Sequence, residues 1–176
     1  MRLNGALPIA PAIRLSRAPG PSPRGEAAAE ARERGLGKFT PGDFEFEVRR
    51  SYAGLGLRTK TAIPKGACVI EYWGRLLTKD EENTSNSKYL FAIDENTTID
   101  GSPRANLARY INHSCRPNCE PEIYRKRVFI MARRNIKAGE ELSYNYGEEY
   151  FDNHIKPHGC RCIKCDPERH EKLNGG

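Results

Sequence analysis

A chain of 176 residues with 29 Lys plus Arg against 23 Asp plus Glu is long enough for one domain, which at this size buries roughly 70% of the surface its unfolded chain exposes. No run approaches the ~18 consecutive apolar residues that span a bilayer, and the apolar opening from Ala6 to Leu15 is cut by Pro8, Pro11 and Arg14, which excludes a membrane span and a secretory signal from the expectation. The net charge of +6 is unevenly placed. Residues 1–40 hold seven basic against three acidic side chains, a net of +4, and the remaining 22 basic and 20 acidic residues leave +2. The folded part thus lacks the positive excess of a DNA-reading domain, and direct DNA binding is not expected.

In chain order, residues 1–40 come first. Pro8, Pro11, Pro19, Pro21 and Pro23 remove backbone donors every few residues, and the segment cannot bury enough apolar surface to offset its ordering entropy. It reads as a disordered tail; the run Glu26 to Arg34 has helix-forming composition but is near the minimum length for a marginal helix. From Phe44 the pattern changes to short alternating or β-branched runs: Phe44 to Val48, Cys68 to Tyr72, Tyr89 to Ile93, Thr98 to Asp100, Glu122 to Tyr124 and Val128 to Ala132. These predict the strands of a mostly β domain. Two stretches resemble each other, Ile63-Pro-Lys-Gly66 and Ile136-Lys-Ala-Gly139, and each predicts a turn closed by glycine and followed by a strand. Arg125-Lys126-Arg127, between two predicted strands, reads as an exposed hairpin tip.

The six cysteines are an isolated Cys68, the near pair Cys115 and Cys119, and a C-terminal group Cys160, Cys162 and Cys165. Two cysteines one residue apart hardly form an unstrained disulfide but can face one metal ion, so the C-terminal group reads as three zinc ligands. Cys68 and Cys119 read as packing residues. Three further blocks stand out: Gly54-Leu55-Gly56, the run from Asn106 through Arg109, Asn112, His113, Ser114 and Cys115 to Pro117-Asn118, and Glu141-Leu-Ser-Tyr144-Asn-Tyr146-Gly147. Gly-x-Gly alone is weak evidence, since it lacks the third glycine and the helix of a dinucleotide fingerprint. The Asn-His-Ser-Cys-x-Pro-Asn run is far more specific, because a generic strand or helix has no use for it.

In that order, with Glu71-Tyr72-Trp73-Gly74 and Tyr89 to Asp94 between them, the blocks resemble the SET-domain family of protein lysine methyltransferases with a post-SET zinc segment. The resemblance covers about Phe44 to Cys165. It implies small curved β-sheets with a knot-like C-terminal crossing, a rare exception to unthreaded connections, in a SET domain over 44–147, a zinc-binding post-SET segment over 148–168 and a tail over 169–176.

The resemblance also implies roles. Tyr146 is placed with its hydroxyl beside a transferring methyl group, and Tyr72, Tyr89 and Tyr144 line the lysine channel. Ala53, Gly54, Leu55 and Gly56 lie along S-adenosylmethionine, with Tyr89, Arg109, Asn112, His113 and Tyr146 nearby. Position 144 matches the family's phenylalanine/tyrosine product switch, and a tyrosine there implies mono- or dimethylation. The fourth zinc ligand in the family comes from the Asn-His-Ser-Cys block, here Cys115; His154 and His158 are the alternatives. One departure is local: the family usually has four residues after the Cys-x-Cys pair, and here only Ile163 and Lys164 precede Cys165.

The resulting expectation is methyl transfer from S-adenosylmethionine to the side-chain amine of a lysine on a histone or other basic protein. Asp80-Glu81-Glu82, Glu120, Glu122 and Glu148-Glu149 offer acidic patches to such a substrate. Two rivals are a catalytically inactive SET-like peptide-binding module and a zinc-dependent nucleic-acid binder. The expected setting is intracellular, nuclear or chromosomal in a eukaryote and cytoplasmic in a bacterium, with a secreted effector as a further option.

Overall fold

The computed structural model describes residues 13–14 and 37–174, without the side chains of 13, 14, 173 and 174. The described part is mostly β, in four small sheets. Strands β2 (Phe46–Ser51) and β3 (Gly54–Thr59) form a hairpin, paired from Phe46–Thr59 to Ser51–Gly54. β4 (Cys68–Tyr72), β9 (Cys119–Tyr124) and β10 (Arg127–Ala132) make an antiparallel sheet with β10 in the middle. β5 (Arg75–Thr78), β6 (Leu90–Ala92) and β7 (Thr97–Asp100) make another, to which β1 (Ile13–Arg14) adds in parallel beside β6. β8 (Asn112–His113) and β11 (Ser143–Tyr144) form a two-residue parallel pair.

The apolar alternation explains where these strands lie. β10 is buried from Val128 to Ala132 because it is covered on both sides, and it pairs with two neighbours. Val128 and Ile130 join Leu57, Ile63, Val69, Phe91, Ile99, Ile111 and Leu142 in the main core. Burial of such side chains stabilises by roughly 1.5–3 kcal/mol each. The predicted likeness of the two glycine-closed turns becomes a contact: Ile63 and Ile136 exchange backbone hydrogen bonds of 2.9 and 2.8 Å, and Gly66 and Gly139 sit at φ 81° and 84°. The helix Lys79–Thr84 starts on a capping box, in which Thr78 Oγ1 accepts from the Glu81 amide and the Glu81 carboxylate accepts from the Thr78 amide at 2.8 Å.

Several boundaries differ from the sequence expectation. The first strand runs Phe46–Ser51 rather than 44–48, and its partner β3 starts on Gly54, where glycine masks strand propensity. The hairpin tip is Arg125-Lys126 alone, at φ 49° and 57°, the left-handed pair of a two-residue turn; Arg127 belongs to β10 and forms a two-pronged bridge to Glu71. The span read as a disordered tail, with the run 26–34 of helix-forming composition, lies largely outside the described residues. Phe39, within the span read as tail, is buried, with its ring stacked on Tyr124 at 4.5 Å and packed on Phe129 at 5.3 Å. Ile13–Arg14 in a strand is a second departure from that expectation.

Candidate active site and metal centre

The site begins at the β2–β3 hairpin, whose two-residue connection is Tyr52-Ala53. Gly54 takes φ 116°, open to glycine and strained for other residues. Gly56 is required by packing instead: a Cβ there would collide with the Glu141 carboxylate and the Ser51 side chain. That carboxylate, 11% exposed, accepts from the Ser51 hydroxyl at 2.5 Å and from the Asn112 amide at 2.9 Å, and Arg58 stands 3.5 Å away. The Asn112 amide also donates to the Leu55 carbonyl at 3.0 Å. One side chain therefore ties the glycine strand to the Asn-His block, 57 residues apart in sequence.

The Asn-His block lies beside the tyrosine block because β8 and β11 pair in parallel, with Ser143 opposite Asn112 and Tyr144 opposite His113. Ser114 N–H extends the pairing to the Tyr144 carbonyl at 3.0 Å. His113 is buried, its carbonyl accepts from the Tyr52 hydroxyl at 2.7 Å, and burial pushes its pKa down to about 4. The imidazole is therefore neutral near pH 7.

Three of the four tyrosines singled out for the site, Tyr72, Tyr144 and Tyr146, belong to one aromatic cluster. Tyr144 lies 4.9 Å from Tyr146 between ring centroids, and Phe91 bridges Tyr72 and Tyr144 at 5.4 and 6.4 Å. The Tyr146 hydroxyl donates to the Ile111 carbonyl at 2.7 Å, and the Tyr72 hydroxyl to the Tyr89 carbonyl at 2.8 Å. Burial raises the pKa of Tyr72, Tyr144 and Tyr146, because a phenolate would lose its hydration. The Tyr89 ring lies under the Arg109 guanidinium at 3.7 Å, a cation–π stack. Arg109 also donates to the Ser102 carbonyl.

The cysteines converge. The Cys115, Cys160, Cys162 and Cys165 sulfurs all lie within 4.8 Å of one another, and Cys115 Sγ is 3.8 Å from both Cys160 Sγ and Cys165 Sγ. Four thiolates at ~2.3 Å from a tetrahedral zinc sit about 3.8 Å apart, so the donor set and spacing fit that ion. The Cys115 amide points at Cys162 Sγ at 3.4 Å. The short Ile163-Lys164 gap is absorbed by a turn, in which the Cys165 and Asp166 amides both donate to the Cys162 carbonyl at 2.9 Å. His154 and His158 do not join the four sulfurs among the described residues. Cys68 and Cys119 are buried apart from the cluster, as packing residues.

These parts enclose a cavity of about 380 Å³. Of the residues singled out in the sequence, Ala53, Leu55, Tyr72, Tyr89, Arg109, Asn112, His113, Tyr144, Tyr146, Cys160 and Cys162 line it. Gly54 and Gly56 flank Leu55 in β3 and are not among the lining residues. Sequence reasoning missed Tyr52, Tyr110 and Tyr150 on the wall, and gave His154 only a metal role. Tyr150 and His154 follow Tyr146 at four-residue intervals, with ring separations of 5.0 and 5.1 Å. That spacing was the available signal: it is helical, and the chain coils from Glu148 through the π-helical turn Phe151–Ile155 to His158.

A mostly β domain with an aromatic cavity, two of whose lining residues, Cys160 and Cys162, belong to a four-thiol cluster, defines a class in which a candidate small-molecule site adjoins a candidate metal site. Residues 54–147 match the family described as SET domain. The chain belongs to the SET-domain family. It is 39% identical over 123 residues to the human "Histone-lysine N-methyltransferase, H3 lysine-36 specific", covering 62% of this chain and 5% of that protein. It is 38% identical over 131 residues to the Drosophila melanogaster "Histone-lysine N-methyltransferase trr", covering 67% and 5%. Among solved structures it is similar to Kryptonite "in complex with mCHH DNA, H3(1-15) peptide and SAH", with a TM-score of 0.56 and 33% identity over 70% of this chain and 27% of that one. The chain thus spans about 5% of the length of these curated relatives.

Proposed function

We propose that the protein transfers a methyl group from S-adenosylmethionine to the side-chain amine of a lysine on a basic protein, a histone being the foremost class. The observation that carries the proposal is the single cavity in which Leu55, Asn112 and His113 on one flank meet Tyr72, Tyr89, Tyr144 and Tyr146 on the other. The human and Drosophila relatives are named for histone-lysine methylation, and Kryptonite was solved with a histone peptide and the demethylated cofactor.

The chemistry fits the residues. A lysine with pKa near 10.4 is almost wholly protonated at pH 7, and making the amine available costs roughly 4–5 kcal/mol. A dry aromatic channel disfavours the ammonium by desolvation. Tyr72 and Tyr144, 4% and 2% exposed, supply such walls. The cofactor, when bound, supplies an electrophilic methyl on a positive sulfur. Ala53, Leu55, Asn112 and His113 would hold it, with Arg109 fixing the Tyr89 ring. Because the Tyr146 hydroxyl donates its hydrogen bond to the Ile111 carbonyl, its oxygen lone pairs are free to face a polarised methyl. Holding amine and methyl in line supplies roughly 7–11 kcal/mol of the barrier. No histidine base is needed for transfer from a sulfonium, and the neutral, buried His113 acts in positioning.

Zinc on Cys115, Cys160, Cys162 and Cys165 would order the coil 148–158, whose Tyr150 and His154 complete the cavity. Exposed Glu148 and Glu149 beside that wall give a basic substrate an electrostatic approach. A chromosomal setting follows if the host is a eukaryote. No helix among the described residues is long and apolar enough to cross a membrane.

Incubation of the purified protein with labelled S-adenosylmethionine and core histones, beside a cell lysate, tests the proposal: label on lysine is expected. Tyr146→Phe should lower the rate on the order of 10²-fold. Cofactor binding with no transfer to any protein would instead favour an inactive peptide-binding module.

A further inference from the structure

β8 and β11 pair for only two residues, and Ser114 N–H to the Tyr144 carbonyl is their last backbone bond. Beyond it the chains diverge, and the next inward amide, that of Tyr146, finds a side chain: it donates to His113 Nδ1 at 3.2 Å. A backbone amide can only donate, so Nδ1 is the acceptor and the proton of the neutral ring is on Nε2. Nε2 lies 3.4 Å from Cys115 Sγ. The same ring packs edge-on against Tyr146, 5.5 Å between centroids, and against Phe151 at 5.3 Å. The Tyr52 hydroxyl and strand pairing hold its backbone, so the imidazole has little freedom except along the line from sulfur to amide.

We propose that His113 is a positioning residue that couples the four-cysteine metal site to Tyr146, and so to cofactor binding. The inference rests on the methyltransferase reading above. A metal-bound Cys115 thiolate accepts the Nε2–H bond and fixes the ring; the ring then holds the Tyr146 amide and, through it, the turn that aims the Tyr146 hydroxyl. A thiolate accepts such a bond better than a thiol does. Because binding coupling is reciprocal, occupation of the cofactor cavity must in turn change the affinity of the four-cysteine site for its metal by the same factor.

The test uses cobalt(II) in place of zinc, whose thiolate-to-metal absorption reports on the sulfurs. Calorimetry on the zinc protein first establishes that the parent binds S-adenosylmethionine; absence of binding overturns the methyltransferase reading itself. In the cobalt protein, adding the cofactor is expected to shift the thiolate band, and in His113→Phe the shift should vanish although four thiolates still bind cobalt. Chelation should weaken cofactor binding about 10-fold or more in the parent and clearly less in His113→Phe, whose affinity is already reduced. If His113→Phe fails to fold, His113→Leu serves, since it too offers the sulfur no donor and the Tyr146 amide no acceptor. A parent band that ignores the cofactor, or chelation and substitution effects that simply multiply, would show that His113 couples nothing.

Discussion

Glu141 and Asn112, 29 residues apart, meet through a 2.9 Å hydrogen bond from the Asn112 amide to the Glu141 carboxylate. The same carboxylate oxygen accepts from Ser51 and fills the space a side chain would need at Gly56. A carboxylate this shielded is held by partners, and loss of one charged hydrogen bond costs about 1.5–3 kcal/mol. Glu141→Gln should therefore weaken cofactor binding on the order of 10-fold while changing turnover at saturation less, a split that calorimetry and steady-state kinetics can read. Gly56→Ala should be worse, because the carboxylate itself must move; equal cofactor affinity for Gly56→Ala and the parent would contradict the assignment.

Tyr144 sets the space around the methylated amine. It is 2% exposed and packed against Tyr146 and Phe91, so removal of one hydroxyl changes the room available without opening a cavity. The parent should produce mono- and dimethyl lysine, and Tyr144→Phe should shift the product toward a higher degree. Mass spectrometry of the peptide product decides it, and abundant trimethylation by the parent would remove the basis for the switch.

Methyl transfer should keep rising with pH. The rising limb belongs to the substrate amine, which becomes neutral as pH approaches 10.4. Tyr144 and Tyr146 act as neutral hydroxyls, and burial holds their pKa well above 10, so they stay protonated across the same range. A kcat/KM profile with no falling limb near pH 10 is expected, measured over times too short for alkaline unfolding.

Chelation should loosen the C-terminal segment before the core. Metal binding of this kind contributes on the order of 10 kcal/mol to the order of its segment, whereas the main core contains none of the three C-terminal cysteines. Limited proteolysis after treatment with a strong chelator should cut within residues 148–166 while the β domain persists. Cleavage spread evenly along the chain would show that the core depends on the metal as well.

Phe39 should matter although it lies in the nominal tail. Its ring is buried against Tyr124 and Phe129, and truncation of such a residue costs about 3–5 kcal/mol when the site cannot collapse. Phe39→Ala should lower the melting temperature clearly and leave cofactor affinity near that of the parent.

The strands that carry the core were legible, because β-branched and aromatic runs such as Cys68–Tyr72 and Val128–Ala132 announce themselves. β3 was not, since Gly54 and Gly56 weaken the local signal; Gly54 is placed by its φ of 116° and Gly56 by Glu141, a contact 85 residues away in sequence. The Arg125-Lys126 reversal was located but not typed, because neither residue favours positive φ and the register of the flanking strands imposes it. The four cysteines were found from spacing and resemblance. Tyr150 and His154 escaped because their helical spacing spans only two intervals and the segment between Gly147 and Cys160 has no strong apolar face.

The walls of the cavity come from residues 52–55, from 72–113 and from 144–162. During synthesis, therefore, a growing chain has no complete place for its small molecule until the last of these stretches has left the ribosome. Chaperones and proteases meet every shorter intermediate without the protection that ligand binding gives, and occupancy marks only chains in which synthesis has passed Cys162.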